Sequence, residues 1–231
     1  EQYVITQTQS IAFLAVPFFI FAGNLMNRTG ITRNLINFSR LLTRRMVGGI
    51  AQVSVLLSTL MGGVSGSAVA DASMEARILG PEMIKRGYTK GYAGGVICLT
   101  SLITATIPPS LGLILYGFIG GVSIGKLFVA GIIPGLMMMA VLMFTVHVTS
   151  KRRGFDLPAP DAKRPTWKEI WRELKKSVWA LIFPLILIVG IRFGLFTPTE
   201  AGAFAVVYAI IVGAFVYKEL TWKAFFAALK D

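Results

Sequence analysis

Residues 47–84 read VGGIAQVSVLLSTLMGGVSGSAVADASMEARILGPEMI, and the length of their first apolar arm decides the fold. Gly49 to Met61 is 13 residues, which as helix reaches only about 20 Å at about 1.5 Å per residue. The hydrocarbon core of a bilayer is about 30 Å thick. Arg44 and Arg45 precede the stretch, and Lys85 and Arg86 follow it. Basic flanks on both sides put both ends on the same membrane surface. An arm too short to cross must enter, turn at Gly62-Gly63-Val64-Ser65-Gly66-Ser67, and return, so the spacing predicts a re-entrant helical hairpin. The return arm carries Asp71, Glu75 and Arg77, which lipid does not tolerate, so that arm faces protein or water. Two readings stand for Asp71: a coupling-site carboxylate, or a first-turn acid capping the return helix, where the helix dipole favours it. Glu75 and Arg77 are expected to pair within the bundle or to reach the inner surface.

Composition supports a membrane setting. Of 231 residues, 55% are hydrophobic and 15% charged, against about 25% charged in soluble proteins. Disorder is excluded. One cysteine, Cys98, excludes a disulfide scaffold, and with one histidine, His147, it excludes a His/Cys zinc site. The net charge of +12 does not mark a nucleic-acid binder, because the basic residues sit between uncharged runs. Those runs are Gln2–Asn27, Met46–Ala70, Gly91–Gly125, Leu127–Ser150, Ser177–Ile191 and Ala201–Tyr217, several near the roughly 20 residues a spanning helix needs. The fold class is therefore all-α and polytopic. The chain starts at Glu1 and stops directly after an amphipathic stretch, so a fragment of a longer protein is expected.

Loop charge sets the expected path. Residues 150–176 hold nine basic and four acidic side chains, and Arg28–Arg45 holds five basic and none acidic. Both segments are placed in the cytoplasm, with Lys85, Arg86 and Lys90 marking a third inner loop. Residues 1–46 then comprise an inward crossing at 9–26 and an amphipathic inner-surface helix at 30–46, with Ile31, Leu35, Phe38, Leu41 and Leu42 at helical spacing. Residues 47–149 comprise the hairpin 47–84, a broken helix 91–118 and a crossing 126–149. Residues 150–176 form a basic cytoplasmic loop. Residues 177–231 supply crossings at 178–195 and 200–217 and the start of a second surface helix, with Trp222, Phe225, Phe226 and Leu229 on one face. The small pairs Gly91/Gly95 and Gly117/Gly121 read as helix packing, and Trp167, Trp171, Trp179 and Trp222 as interfacial anchors.

The broken helix follows from the same arithmetic. The 35 uncharged residues of Gly91–Gly125 would make about 52 Å of straight helix, too long for one crossing and too short for two. Midway stands Thr104-Ala105-Thr106-Ile107-Pro108-Pro109-Ser110, whose adjacent prolines remove two backbone donors. Irregular backbone at membrane depth survives only beside protein or a water-filled cavity. Two breaks meeting at mid-depth describe the substrate and ion site of a secondary carrier. The glycine-rich turn offers carbonyls, and Ser65 and Ser67 add hydroxyls, a set suited to a hard cation such as sodium. No GxxxxGK[ST] phosphate loop is present, and a Ser–His dyad would need His147, far from Ser67 in sequence, so no enzyme is expected. A channel also uses re-entrant loops and stands as an alternative.

The chain resembles a known family at many points in order. Val16-Pro-Phe-Phe-Ile-Phe-Ala-Gly-Asn24, Ser65-Gly-Ser-Ala-Val-Ala-Asp71, Arg86-Gly-Tyr88, Ile107-Pro-Pro-Ser110, Tyr116-Gly117, Ser123-Ile-Gly125, Leu127-Phe128, Ala130-Gly-Ile-Ile-Pro-Gly135 and Thr197-Pro-Thr-Glu-Ala201 are similar to the large membrane subunit of tripartite ATP-independent periplasmic (TRAP) transporters. The resemblance implies sodium-driven import of an organic acid across the bacterial inner membrane. It implies an elevator movement, a small membrane subunit and a periplasmic substrate-binding protein. It also implies half of an inverted repeat here, the second hairpin and broken helix lying beyond Asp231. Carried over by motif, Ser65, Gly66, Ser67, Ala68, Thr106, Pro109 and Ser110 would receive substrate. Gly62, Gly63, Ser65, Thr104, Thr106 and Pro108 would hold sodium. The sequence departs from the family's small residues at Ser73-Met74-Glu75-Ala76-Arg77 and at Thr100-Ser-Leu-Ile-Thr-Ala-Thr106. Two further alternatives remain: a different hairpin carrier, driven by protons or sodium and without a binding protein, and a non-transporting membrane scaffold.

Overall fold

The computed structural model describes residues 15–157 and 165–230. The start of the first expected crossing, at 9–14, and Asp161, Lys163 and Arg164 of the basic loop lie outside the described residues. Described secondary structure is helical throughout: α1 (Ala15–Asn27), α2 (Gly30–Thr43), α3 (Gly49–Gly62), α4 (Ala68–Ile78), α5 (Gly80–Lys85), α6 (Lys90–Thr106), α7 (Leu111–Ile119), α8 (Ile124–Arg153), α9 (Trp167–Arg192), α10 (Pro198–Ile211) and α11 (Trp222–Lys230). A π-helical turn, Val212–Val216, prolongs α10. Among the described residues three helices are long and apolar enough to cross a membrane: α8, α9, and α10 with its π turn. Helices α6 and α7 pass the same test together and are bent by 50°.

Two packing groups position the rest. Helix α1 lies chiefly along α10. Ala201, Ala205 and Ala209 are buried at every fourth position of α10, and such a small-residue stripe lets two backbones close on each other. A Cβ on Gly202 would meet Phe18 Cβ at 2.9 Å. In the second group α3 and α4 each pack on α6, and α8 packs on both α3 and α6. Gly131 and Gly135 of α8 face the α6–α7 break. A Cβ at Gly131 would stand 2.6 Å from Thr106 O, and one at Gly135 would collide with Ile107. The AGIIPG stretch is therefore the groove into which the break fits.

Several boundaries differ from the charge-based reading. Helix α9 starts at Trp167, inside the basic segment, because Thr166 and Glu169 form a reciprocal capping box there. Gly154, at φ 70°, ends α8, so both ends of 150–176 are helical. Helix α2 is amphipathic, yet Ile31, Leu35, Ile36 and Phe38 bury that face, the helix packing on α3 and α9, and Leu42 is exposed. In α11, Phe225 meets Phe21 edge-on at 5.6 Å, whereas Trp222, Phe226 and Leu229 are exposed. A Cβ on Gly91 or Gly95 would meet nothing within 4 Å, so they are not packing contacts here, while Gly117 is held against Ile124 and Leu127. All four tryptophans are exposed.

The hairpin's feet are tied by Asp156. Its carbonyl accepts from Gly48 N at 3.1 Å, and its Oδ2 accepts from Ile50 N at 2.7 Å, capping α3 from a distant segment. Its Oδ1 pairs with Arg86 Nη1 at 3.0 Å. Arg86 also pairs with Glu82 at 2.7 Å, and Glu82 with Arg40 at 2.6 Å. Three segments that the charge pattern assigned to one surface thus meet in one chain of ion pairs, which favours the charged form of Arg86 and raises its pKa against the opposing effect of partial burial.

Candidate functional site

Helix α3 is 14 residues long, about 21 Å, and ends where Gly62 and Gly63 press against the break. A Cβ on Gly62 would lie 2.8 Å from Ile107 Cβ and 3.3 Å from Thr104 Cα. Gly63 faces Pro184 of α9, with Pro108 O at 3.7 Å from its Cβ position. Val64 N and Ser65 N both return to Met61 O at 2.8 Å. The chain then passes Gly66 at φ 60°, a left-handed conformation in which glycine carries no steric cost. There the two irregular segments touch. Gly66 O accepts from Leu111 N at 3.3 Å, and a Cβ on Gly66 would stand 2.6 Å from Pro109 O and 3.3 Å from Ser110 Cα.

Ser67 caps α4, its side chain accepting from Ala70 N at 3.4 Å, and Ala68 begins that helix. The cap is therefore Ser67 and not Asp71. Asp71 lies in the first turn, fully buried, with Oδ1 accepting from Ser65 Oγ at 2.7 Å. Its Oδ2 has no hydrogen-bond partner among the described residues. On the break, Pro108 and Pro109 have no N–H for the carbonyls of Thr104 and Ala105, the partners a continuous helix would use. Ser110 Oγ fills the second vacancy, donating to Ala105 O at 2.5 Å, and it caps α7 through Leu113 N. Thr104 Oγ1 donates to Ser58 O at 2.9 Å, joining the break to the hairpin's first arm. Thr106 is oriented differently. Its hydroxyl bonds Leu102 O at 2.9 Å, and its carbonyl lies against Gly131 of α8.

A cavity of about 150 Å³ opens on the tip, lined by Ile20, Gly23, Asn24 and Asn27 of α1, Ser65, Ser67 and Ala70 of the hairpin, and Leu111. Of the residues chosen from sequence, Ser65 and Ser67 line it. Gly66, Pro109 and Ser110 support it from behind through the backbone contact, and Thr106 stands apart. Asn24 and Asn27 were not singled out as lining residues. They are the polar side chains closing an apolar helix, a signal visible in PFFIFAGNLMN, but only the docking of Gly23 against Ser65 O, at 3.1 Å from its Cβ position, aims them at the tip. A buried cluster was also missed: Glu75 with Ser54, Ser58 and Thr100. Glu75 thus meets hydroxyls, and Arg77 is exposed. Among the described residues no three His, Cys, Asp or Glu side chains stand close enough to hold a metal ion.

The family model for the DctM component of tripartite ATP-independent periplasmic transporters matches residues 1–231. The chain belongs to the DctM family. This TRAP large-permease chain is 40% identical over 228 residues to the 2,3-diketo-L-gulonate TRAP transporter large permease protein YiaN of Escherichia coli, covering 99% of this chain and 53% of that protein. It is 41% identical over 217 residues to the sialic acid TRAP transporter permease protein SiaT of Haemophilus influenzae, covering 94% of this chain and 35% of the relative. It is 31% identical over 232 residues to the C4-dicarboxylate TRAP transporter large permease protein DctM of Rhodobacter capsulatus, covering 94% and 52%. The chain spans about half the length of most of these relatives. As a TRAP permease chain with several membrane-capable helices, it is a multi-pass protein of the bacterial inner membrane.

Proposed function

We propose that this chain is the part of a TRAP large permease that carries its first hairpin and broken helix, and that the complete protein imports an organic acid coupled to sodium. The contact of Gly66 with Pro109 and Leu111 carries this reading. It joins two stretches of irregular backbone beside a cavity whose far wall is a different helix, α1. In this reading residues 47–84 form a re-entrant hairpin that moves with the broken helix 91–118 and helix 126–149 as a transport unit. Residues 1–46 and 177–231 form the scaffold against which the unit rides in an elevator movement, and the tip cavity is a seam between the two. A periplasmic binding protein delivers the acid, and a small membrane subunit completes the scaffold. Substrates named for the relatives, a diketo sugar acid, sialic acid and C4-dicarboxylates, share a carboxylate, and we assign that group to the Ser67 hydroxyl and the amides of the tip, the Ser65 hydrogen being given to Asp71.

The hydroxyl chemistry supports a cation near the break. Ser65, Thr104, Thr106 and Ser110 each donate their one hydrogen to a protein oxygen. A hydroxyl so committed presents only lone pairs outward, which is what a hard cation takes. Sodium bound there would organise the tip before substrate arrives, a coupling of about 1–3 kcal/mol. The test is uptake by the complete transporter in proteoliposomes with its binding protein. Replacing external sodium with choline should abolish uptake. Uptake that continues unchanged, or that follows a proton gradient without sodium, refutes the assignment.

A further inference from the structure

One buried acid beside the tip has no role in the reading above. Glu75 lies on α4 one turn past Asp71 and is fully buried, at the junction where α3 and α4 both lean on α6. Its Oε1 accepts from Ser58 Oγ at 2.6 Å. Its Oε2 bonds Ser54 Oγ, with Thr100 Oγ1 at 3.4 Å. Among the described residues no cation faces it from any packed element. Helix α3 has no titratable side chain. On α6, Lys90 is ten residues from Thr100, about 15 Å along the helix. Tyr92 stacks on Tyr88, and Cys98 is exposed. Behind these helices, His147 of α8 is exposed. On α4 the remaining charges are Asp71, which is a like charge, and the exposed Arg77. On α5, Glu82 pairs with Arg40 and Arg86, and Lys85 is exposed.

Two orders of the hydroxyl hydrogens fit the oxygens around Glu75. Each has a single hydrogen to give. With the acid ionised, Ser54 Oγ donates to Glu75 Oε2, and Thr100 Oγ1 donates to Ser54 Oγ at 2.9 Å or to Oε2 at 3.4 Å. With the acid neutral, Thr100 Oγ1 donates to Ile97 O at 3.1 Å and accepts from Ser54 Oγ, which in turn accepts the carboxyl hydrogen. Ser58 meanwhile donates to Oε1, the carbonyl oxygen of a neutral carboxyl. The chain Glu75 to Ser54 to Thr100 to Ile97 O uses each hydrogen once. A bare carboxylate in the same place would be a buried charge without a counter-ion.

We propose that Glu75 is a proton-binding site: a neutral carboxylic acid donating to Ser54, whose deprotonation loosens the junction of α3, α4 and α6 beside the hairpin tip. Ser58 links the two regions, since its carbonyl accepts from Thr104 of the break. The proton is thus a ligand of the transport unit, separate from the sodium and the acid it carries. Its presence can be read without transport, so failure of the sodium assignment would leave this inference standing.

The experiment is an infrared pH titration of the complete reconstituted transporter, comparing wild type with Glu75→Gln. The expected result is a protonated-carboxyl C=O band at neutral pH that shifts in D2O, disappears at alkaline pH, and is missing from the variant. Glutamine reproduces both the donor and the acceptor of the neutral acid. Glu75→Gln should therefore keep uptake at neutral pH and lose the several-fold alkaline fall expected of wild type. Should that variant fail to fold, Ser54→Ala removes the acceptor of the acid's proton and must shift the band of the wild-type acid. The absence of any carboxyl band that either substitution alters, over the whole pH range, overturns the proposal.

Discussion

Replacing Gly66 with alanine tests whether the contact between tip and break is as tight as its geometry requires. The residue sits at φ 60°, where an L side chain costs about 1–2 kcal/mol. The new Cβ would stand 2.6 Å from Pro109 O, a backbone atom in a buried segment that cannot rotate away. Relief requires the tip to retreat by most of an ångström, and overpacking of this kind costs about 1–3 kcal/mol. The retreat also stretches the 3.3 Å bond from Leu111 N to Gly66 O. A combined penalty of about 3 kcal/mol reduces the population with the tip seated by roughly a hundredfold. Because the strain is confined to the tip, initial uptake by the reconstituted transporter should collapse while thermal unfolding shifts only modestly. Gly95→Ala is the control, since a Cβ on that helical glycine would meet nothing within 4 Å, and alanine there should stabilise by up to about 1 kcal/mol. Wild-type uptake by Gly66→Ala would refute the reasoning, because it would mean the tip does not bear on the break.

Asp156→Ala should destabilise by about 0.5–2 kcal/mol in thermal unfolding, the usual value of a helix N-cap. Asp156→Asn should recover most of that loss, because the Arg86 partner is half exposed and such a pair contributes about 1 kcal/mol or less. Equal losses in the two variants would show that the ion pair, and not the cap on Ile50 N, holds the hairpin's foot. Thr104→Val preserves shape and deletes the hydroxyl that bonds Ser58 O, so unfolding measurements should show a loss of about 0.5–1.5 kcal/mol. A neutral result would mean the arm and the break are held by packing alone.

Much of the architecture was legible along the chain because its signals are local. The apolar arm's length, the Pro108–Pro109 pair and the glycine turn are properties of neighbouring residues, and each limits a helix whatever surrounds it. The expected contact between residues 62–70 and 104–110 also followed, from depth arithmetic on two breaks. The start of α9 at Trp167 was less legible, since a loop and the exposed first turns of a helix carry charge alike, and only the Thr166 capping box separates them.

What the sequence by itself determined is where helix must stop, because chain geometry and missing amide hydrogens act within a few residues. Which side chains gather at the stops was decided only by the tertiary structure. Asn24 lines one cavity with Ser67, and Glu75 meets Ser54 and Thr100, because helices far apart in sequence pack face to face. Thr106, three residues from Pro109, is turned toward α8 by the rotation of one helix about its axis. Such rotations are fixed by how small residues on one helix admit the backbone of another, and they leave no local mark in the chain.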